Sequence, residues 1–173
     1  MEQNSQPKWE SKVSTTLTHA SADQIWPLFK DFFNLHKWFP ALPTSYGIHG
    51  TNGEVGCIRY CSGFKLRSED SVDSVSWATE RLIASDPIDR TIVYEIVDSN
   101  AGLKSYVSKV KIVSGGDDDG QGRGCQIEWS FSVEPVEGWV LEDMVKIYEN
   151  GLQGIAKKME DAIRSTEQAG QGE

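Results

Sequence analysis

Between Gly124 and Val136 apolar and polar residues alternate. Cys125, Ile127, Trp129, Phe131 and Val133 fall on one parity, and Gln126, Glu128, Ser130, Ser132 and Glu134 on the other. Successive side chains of a strand point to opposite faces, so this run predicts a strand with one buried and one wet face, as in an antiparallel sheet covered on one side. Similar runs between turn residues occupy Gly56–Ser62, Ser74–Ser85, Thr91–Asp98 and Ser105–Val113, with a weaker segment at Ser45–Gly50. Residues 8–18 predict a first strand, with Trp9, Val13 and Leu17 on one side. The period then changes. Ser21 precedes Gln24 at the spacing of a capping box, and Ile25, Trp26, Leu28, Phe29, Phe32 and Phe33 form a helical stripe that Pro27 is expected to bend. Asn34–Phe39 predicts a second short helix, ended by Pro40. The strongest helical pattern spans Leu141–Ser165, with Leu141, Met144, Val145, Tyr148, Leu152, Ile155, Met159 and Ile163 on one face. At 1.5 Å per residue it reaches ~37 Å, enough to cross a small domain. Gly151 and Gly154 predict a weak point or bend within it.

One strand, two short helices, a run of strands and one long amphipathic helix make an α+β order. The strand connections are too short for parallel crossovers, so the sheet is antiparallel. About six to seven strands are expected to curve around the C-terminal helix. Where sheet and helix diverge, a gap lined by aromatics is a natural pocket for an apolar ligand. Residues 8–165 are expected to form a single domain, with flexible tails at 1–7 and 166–173. The stretch Ser114–Gly122 predicts a hairpin loop.

Composition narrows the partners. The chain has 173 residues, 38% hydrophobic and 25% charged, with a net charge of -9. That balance suits one domain with a substantial core and disfavours phosphate backbones and anionic membrane surfaces. The three cysteines, Cys57, Cys61 and Cys125, suit neither a disulfide framework nor, with His19, His36 and His49 dispersed, a metal site. No stretch has the apolar length of a membrane span, and the N-terminus does not read as a signal peptide. The expected setting is cytoplasmic, with no metal or other cofactor, no nucleic acid partner and no membrane insertion. The chain is expected to act as a monomer.

Alternation also identifies polar residues on apolar faces. Tyr94 lies with Ile92 and Ile96, and Tyr106 with Val110 and Ile112. Arg59 shares parity with Cys57 and Cys61, but Ile58 and Tyr60 compete for the interior from the other face. Glu80 shares parity with Ala78, Leu82 and Ala84, against Val75, Trp77 and Ile83. Parity therefore leaves the charged residues open. Turned inward, each charge would need a partner; the Glu80 carboxylate could then exchange protons while the Arg59 cation holds an anionic or polarised oxygen to which tyrosine hydroxyls also donate. Cys57, Phe131, Tyr148 and Leu152 lie on the same apolar faces and join Tyr94 and Trp129 as candidate ligand-binding residues.

Several of these stretches occur together in a known family. Lys8-Trp9-Glu10-Ser11-Lys12-Val13, Leu28-Phe29-Lys30-Asp31-Phe32 with Asn34-Leu35-His36-Lys37, Val55-Gly56-Cys57-Ile58-Arg59-Tyr60, Trp77-Ala78-Thr79-Glu80 and Glu128-Trp129-Ser130-Phe131 resemble the plant lachrymatory factor synthases, in order, from about residue 8 to 165. Those proteins belong to the helix-grip superfamily of birch-pollen-type allergens, abscisic acid receptors and START domains, also described as polyketide cyclase/dehydrase and lipid transport proteins. The resemblance implies a helix-grip fold, with Arg59 and Glu80 as the essential pair, Tyr94 and Tyr106 as pocket tyrosines and Trp129 as the sheet tryptophan. It implies cofactor-free proton transfer in a small oxygen- or sulfur-bearing molecule. Two departures stand out: a longer segment between Arg59 and Glu80 through Phe64–Asp73, and Ser76 in place of an aromatic residue. The family's alkenyl sulfenic acid substrate does not carry over with the residues. The alternatives are a carrier or sensor of an apolar metabolite, although the gate and latch motifs of the hormone receptors are missing, and an interaction protein with a vestigial cavity.

Overall fold

Ser21 starts the first helix as its spacing predicts. Its hydroxyl accepts from the Gln24 N–H at 3.2 Å, and the Gln24 side chain accepts from the Ser21 N–H at 3.0 Å. The computed structural model describes residues 7–64, 76–115 and 124–171. Helix α1 (Ala22–Lys30) runs unbroken through Pro27, burying Ala22, Ile25, Trp26 and Phe29. A 3₁₀ segment (Phe32–Lys37) follows, earlier in the chain than the predicted second helix, and places Phe32 in the core. The strands among the described residues are β1 (Trp9–Leu17), β2 (Thr44–His49), β3 (Ile58–Phe64), β4 (Ser76–Asp86), β5 (Thr91–Ser99), β6 (Val107–Ser114) and β7 (Cys125–Val133). They form one antiparallel sheet in the order β1-β7-β6-β5-β4-β3-β2. The first two strands lie at opposite edges, and α1 with the 3₁₀ segment carries the chain between them. Most of the predicted hairpin loop after Ser114 and of the stretch Phe64–Asp73 lies outside the described residues, as does the N-terminal tail up to residue 6.

Helix α2 (Leu141–Gln171) crosses the concave side of the curved sheet, burying Met144, Leu152, Ile155, Ala156 and Met159. It continues past the predicted end at Ser165, through most of the stretch read as a tail. The Glu167 carboxylate accepts from Gln24 Nε2 at 3.0 Å, which ties this last part to α1. Glu160 accepts from the His19 N–H at 2.9 Å and ties α2 to the end of β1.

The strands follow parity except where the sheet bulges. In β7 the predicted alternation holds throughout. In β4 it fails after Leu82, because the register against β5 shifts between Leu82 and Ala84. Ala84, on the parity of the buried Leu82, is exposed there. A second shift between Thr79 and Glu80 leaves Val97 of β5 without a partner on β4 and 46% exposed.

Candidate functional site

Arg59 and Glu80 meet because β3 and β4 pair them directly across the strands. Parity turns Cys57, Arg59 and Cys61 inward together, while Tyr60 stacks on Trp77 and packs at a tilt against Tyr46 on the opposite face. Arg59 Nε donates to Glu80 Oε1 at 2.7 Å, and the two side chains are 3% and 13% exposed. Nη1 donates to the Phe32 carbonyl at 2.9 Å. The guanidinium lies 3.8 Å above the Phe32 ring centre and 4.8 Å from that of Tyr94. A carboxylate, a carbonyl and two ring faces thus compensate a charge withdrawn from water. Burial alone works against that charge, but Glu80, joined by Cys61 and Tyr94, offsets it, and the net effect raises the Arg59 pKa. Arg59 is a fixed cation.

Cys61 Sγ lies 3.6 Å from the same Glu80 oxygen and donates to it. Burial, then the Glu80 charge, pushes its thiol up to about 12. Cys61 is therefore a neutral donor at ordinary pH, without the thiolate that nucleophilic chemistry requires.

A second polar group sits beside this one. Trp129 Nε1 donates to Ser108 Oγ at 2.7 Å and reaches Tyr94 Oη at 3.2 Å. The Ser108 hydroxyl donates in turn to the Ser130 carbonyl at 2.9 Å. Ser108 shares the parity of Val110 and Ile112, so the same alternation that singled out the tyrosines could have found it. Tyr106 stands just before β6. Ser105 ahead of it adopts φ 54, and its hydroxyl donates to Glu134 at 2.5 Å, fixing the turn from which Tyr106 points inward. The hydroxyls of Tyr106 and Tyr148, the latter on α2, are hydrogen-bonded to each other. Burial raises both well above the usual tyrosine value and pushes Tyr94 up to about 12. The hydrogen bond between Tyr106 and Tyr148 uses one of their two protons, so the other is free to donate elsewhere.

These groups border a cavity of about 380 Å³ between the sheet and α2. Arg59, Glu80, Tyr94, Tyr106, Trp129 and Tyr148 all line it. Its remaining wall includes Leu35, Phe39, Leu42, Phe64, Leu103 and Ile147, which sequence reasoning had not singled out. Leu103 belongs to the β5–β6 connection, where no periodic pattern marks an inward side chain.

Three expected ligand contacts are absent from that wall. Cys57 is 1% exposed and packed in the core, two residues along the strand from Arg59 on the side away from Cys61. Phe131 lies behind the wall, its ring stacked on Tyr148 at 4.5 Å and on Tyr106 at 6.4 Å. Leu152 faces a separate void of about 20 Å³ behind Arg59, Tyr94 and Trp129. Parity separates inside from outside, and it does not separate cavity from core.

The α2 glycines also find a use here. Both line the cavity. A Cβ on Gly151 would stand 3.0 Å from the Phe39 ring, whereas one on Gly154 would meet Pro40 at an ordinary 3.7 Å. Gly154→Ala is therefore expected to raise stability by roughly 0.5–1 kcal/mol through helix propensity. Gly151→Ala should gain less, because Phe39 has to give way. Urea unfolding of the two variants compares them directly.

A curved antiparallel sheet closed by one long helix, with a mostly apolar cavity between them, defines a helix-grip protein. The chain belongs to the polyketide cyclase / dehydrase and lipid transport family, whose match spans residues 8–160. Among solved structures, XoxI from Bacillus cereus superposes with a TM-score of 0.66 at 20% identity, over 91% of this chain and 97% of that one. An uncharacterised Bacillus thuringiensis protein gives 0.65 at 21% identity, over 87% and 98%. Major latex-like protein 151 from Panax ginseng gives 0.63 at 19% identity, over 89% and 97%. At such identities these likenesses concern the fold. Among the described residues, no helix is long and apolar enough to cross a membrane.

Proposed function

We propose that the protein admits a small, mostly apolar organic molecule bearing one oxygen- or sulfur-containing group and moves a proton within it without a cofactor. The observation that carries this reading is a buried Arg59–Glu80 ion pair on the wall of an otherwise largely apolar cavity. Glu80 Oε1 is held by Arg59 and Cys61, while Oε2 accepts from no other described side chain. Oε2 is thus the base that takes a proton from the ligand. The negative charge left on the ligand is steadied by the spare hydroxyl proton of the Tyr106–Tyr148 pair. Protonated Glu80 then returns the proton to a different ligand atom, so the product is an isomer and the protein is regenerated. Arg59 stays cationic and keeps the carboxyl group in place.

The resemblance to plant lachrymatory factor synthases supports this assignment of Arg59, Glu80 and Tyr106, with Tyr94 and Trp129 as ligand contacts. It also supports a plant setting, in which we place the protein in the cytoplasm as a monomer. Native mass spectrometry of the protein after incubation with plant extract should reveal a retained small molecule. Incubating that molecule with catalytic amounts of protein in D2O should give an isomer carrying deuterium. Glu80→Gln leaves Arg59 an acceptor but removes the base, so turnover should fall at least ~100-fold while the molecule is still retained. Retention by the wild type with neither isomerisation nor deuterium uptake would instead establish a carrier.

A further inference from the structure

Arg59 and Glu80 are the only charged side chains among the described residues lining the cavity, and they neutralise each other across 2.7 Å. An ionised ligand group entering beside them finds no counter-ion. Arg59 is already committed on several sides: its Nε serves Glu80, one Nη1 proton serves the Phe32 carbonyl, and the rings of Phe32 and Tyr94 lie against it. A carboxylate drawn to Arg59 would meet the Glu80 carboxylate in the same small space. An ammonium drawn to Glu80 would compete with Arg59 for its only anion. Either arrangement leaves one unpaired charge away from water. An uncharged ligand group meets the opposite situation, with tyrosine protons that donate to it and Glu80 Oε2 that accepts from it.

We propose that the site selects an uncharged ligand whose polar group both accepts and donates a hydrogen bond, such as a hydroxyl or an enol, and rejects carboxylates and ammonium ions. This rests on the cavity reading above and narrows it to a ligand class. The group accepts from the tyrosine pair and donates to Glu80, the geometry from which a proton can be transferred.

Octan-1-ol, octanoate and octylammonium share one chain and differ only in the head group. Titration calorimetry with the full chain at pH 7.5 should find the alcohol bound at least about tenfold more tightly than either ion, because an unpaired buried charge costs more than the ~1.4 kcal/mol of one decade. Octanoate should tighten as the pH falls toward its own pKa. Glu80→Gln leaves Arg59 uncompensated, so in that variant octanoate should gain at least about tenfold relative to the alcohol. Wild-type protein that binds octanoate as tightly as the alcohol overturns the inference and leaves the cavity reading standing. The wild-type comparison decides this whether or not the variant folds. A folded variant with unchanged preference also overturns it, since the ion pair would then not be the source of selection. If none of the three binds, the cavity reading fails and the inference with it.

Discussion

Glu80→Leu is expected to remove about 3–5 kcal/mol of folding stability, and adding Arg59→Met is expected to restore most of it. The single change leaves a guanidinium that is 3% exposed without its counter-charge. The Phe32 carbonyl and the two ring faces remain, but they are dipoles and quadrupoles and do not replace an anion. A guanidinium cannot shed its proton to escape, whereas a carboxyl can be neutralised by taking one up. Arg59→Met alone should therefore cost less than Glu80→Leu, although it also strips the Phe32 carbonyl of a donor. In the double variant no charge is buried and two apolar side chains extend the existing core. Urea unfolding of all four proteins gives the coupling energy. Against a typical total of about 5–15 kcal/mol, the loss in Glu80→Leu is large enough to lower the urea midpoint severely. Single costs below ~1 kcal/mol that simply add in the double variant would mean that water reaches the pair, and the proton-transfer reading would lose its low-dielectric setting.

That the charged pair lies inside was only half legible beforehand, and the reason is physical. Strand β7 alternates cleanly because one of its faces is core and the other polar, and every inward residue read from it is buried. Strand β3 is apolar on both faces. Tyr60 carries an outer aromatic row with Tyr46 and Trp77, so hydrophobicity alone could not choose between that face and Arg59. Pairing decides it: Arg59 opposes Glu80, and two charges that neutralise each other can be buried where neither could be alone. The exposure of Ala84 has another origin, since a bulge is a feature of two strands and one strand's pattern does not contain it. The same holds for the Phe32 carbonyl, which Arg59 meets only because the 3₁₀ segment folds over β3. Gly151 and Gly154 read as weak points in a helix, and they are where α2 admits Phe39 and Pro40 to the cavity wall. Local periodicity thus carries the elements and their faces. Where two elements make one feature, the feature emerges only on folding.

Raising the pH from 9 to 11 is expected to cost on the order of 5 kcal/mol of stability, because buried groups of the site and the adjoining core keep protons that the unfolded chain gives up. Burial, then the charge of Glu80, pushes Cys61 and Tyr94 each up to about 12. Burial, then Glu160, pushes Cys125 up to about 11. All three are at least nine-tenths buried, so little solvent screening discounts the shifts. Below about pH 8 these groups are protonated in both states and their full contribution is present. Above it the unfolded chain loses protons first, so the unfolded state gains free energy at every step until the folded values are reached. Tyr106 and Tyr148, raised in the same direction, add to the loss. Surface ion pairs weakened as lysines deprotonate add little, since each contributes about 0–1 kcal/mol. Thermal unfolding followed by circular dichroism should therefore show a melting temperature that is level to about pH 8.5 and roughly 10–20 °C lower at pH 11. The variant with both Cys61→Ala and Cys125→Ala starts lower, because it leaves two small voids, but its decline should be about half as steep. A melting temperature level to pH 11, or a decline as steep in the variant as in the wild type, would mean that these groups are open to water, and the description of a dry polar cluster beside the cavity would have to be abandoned.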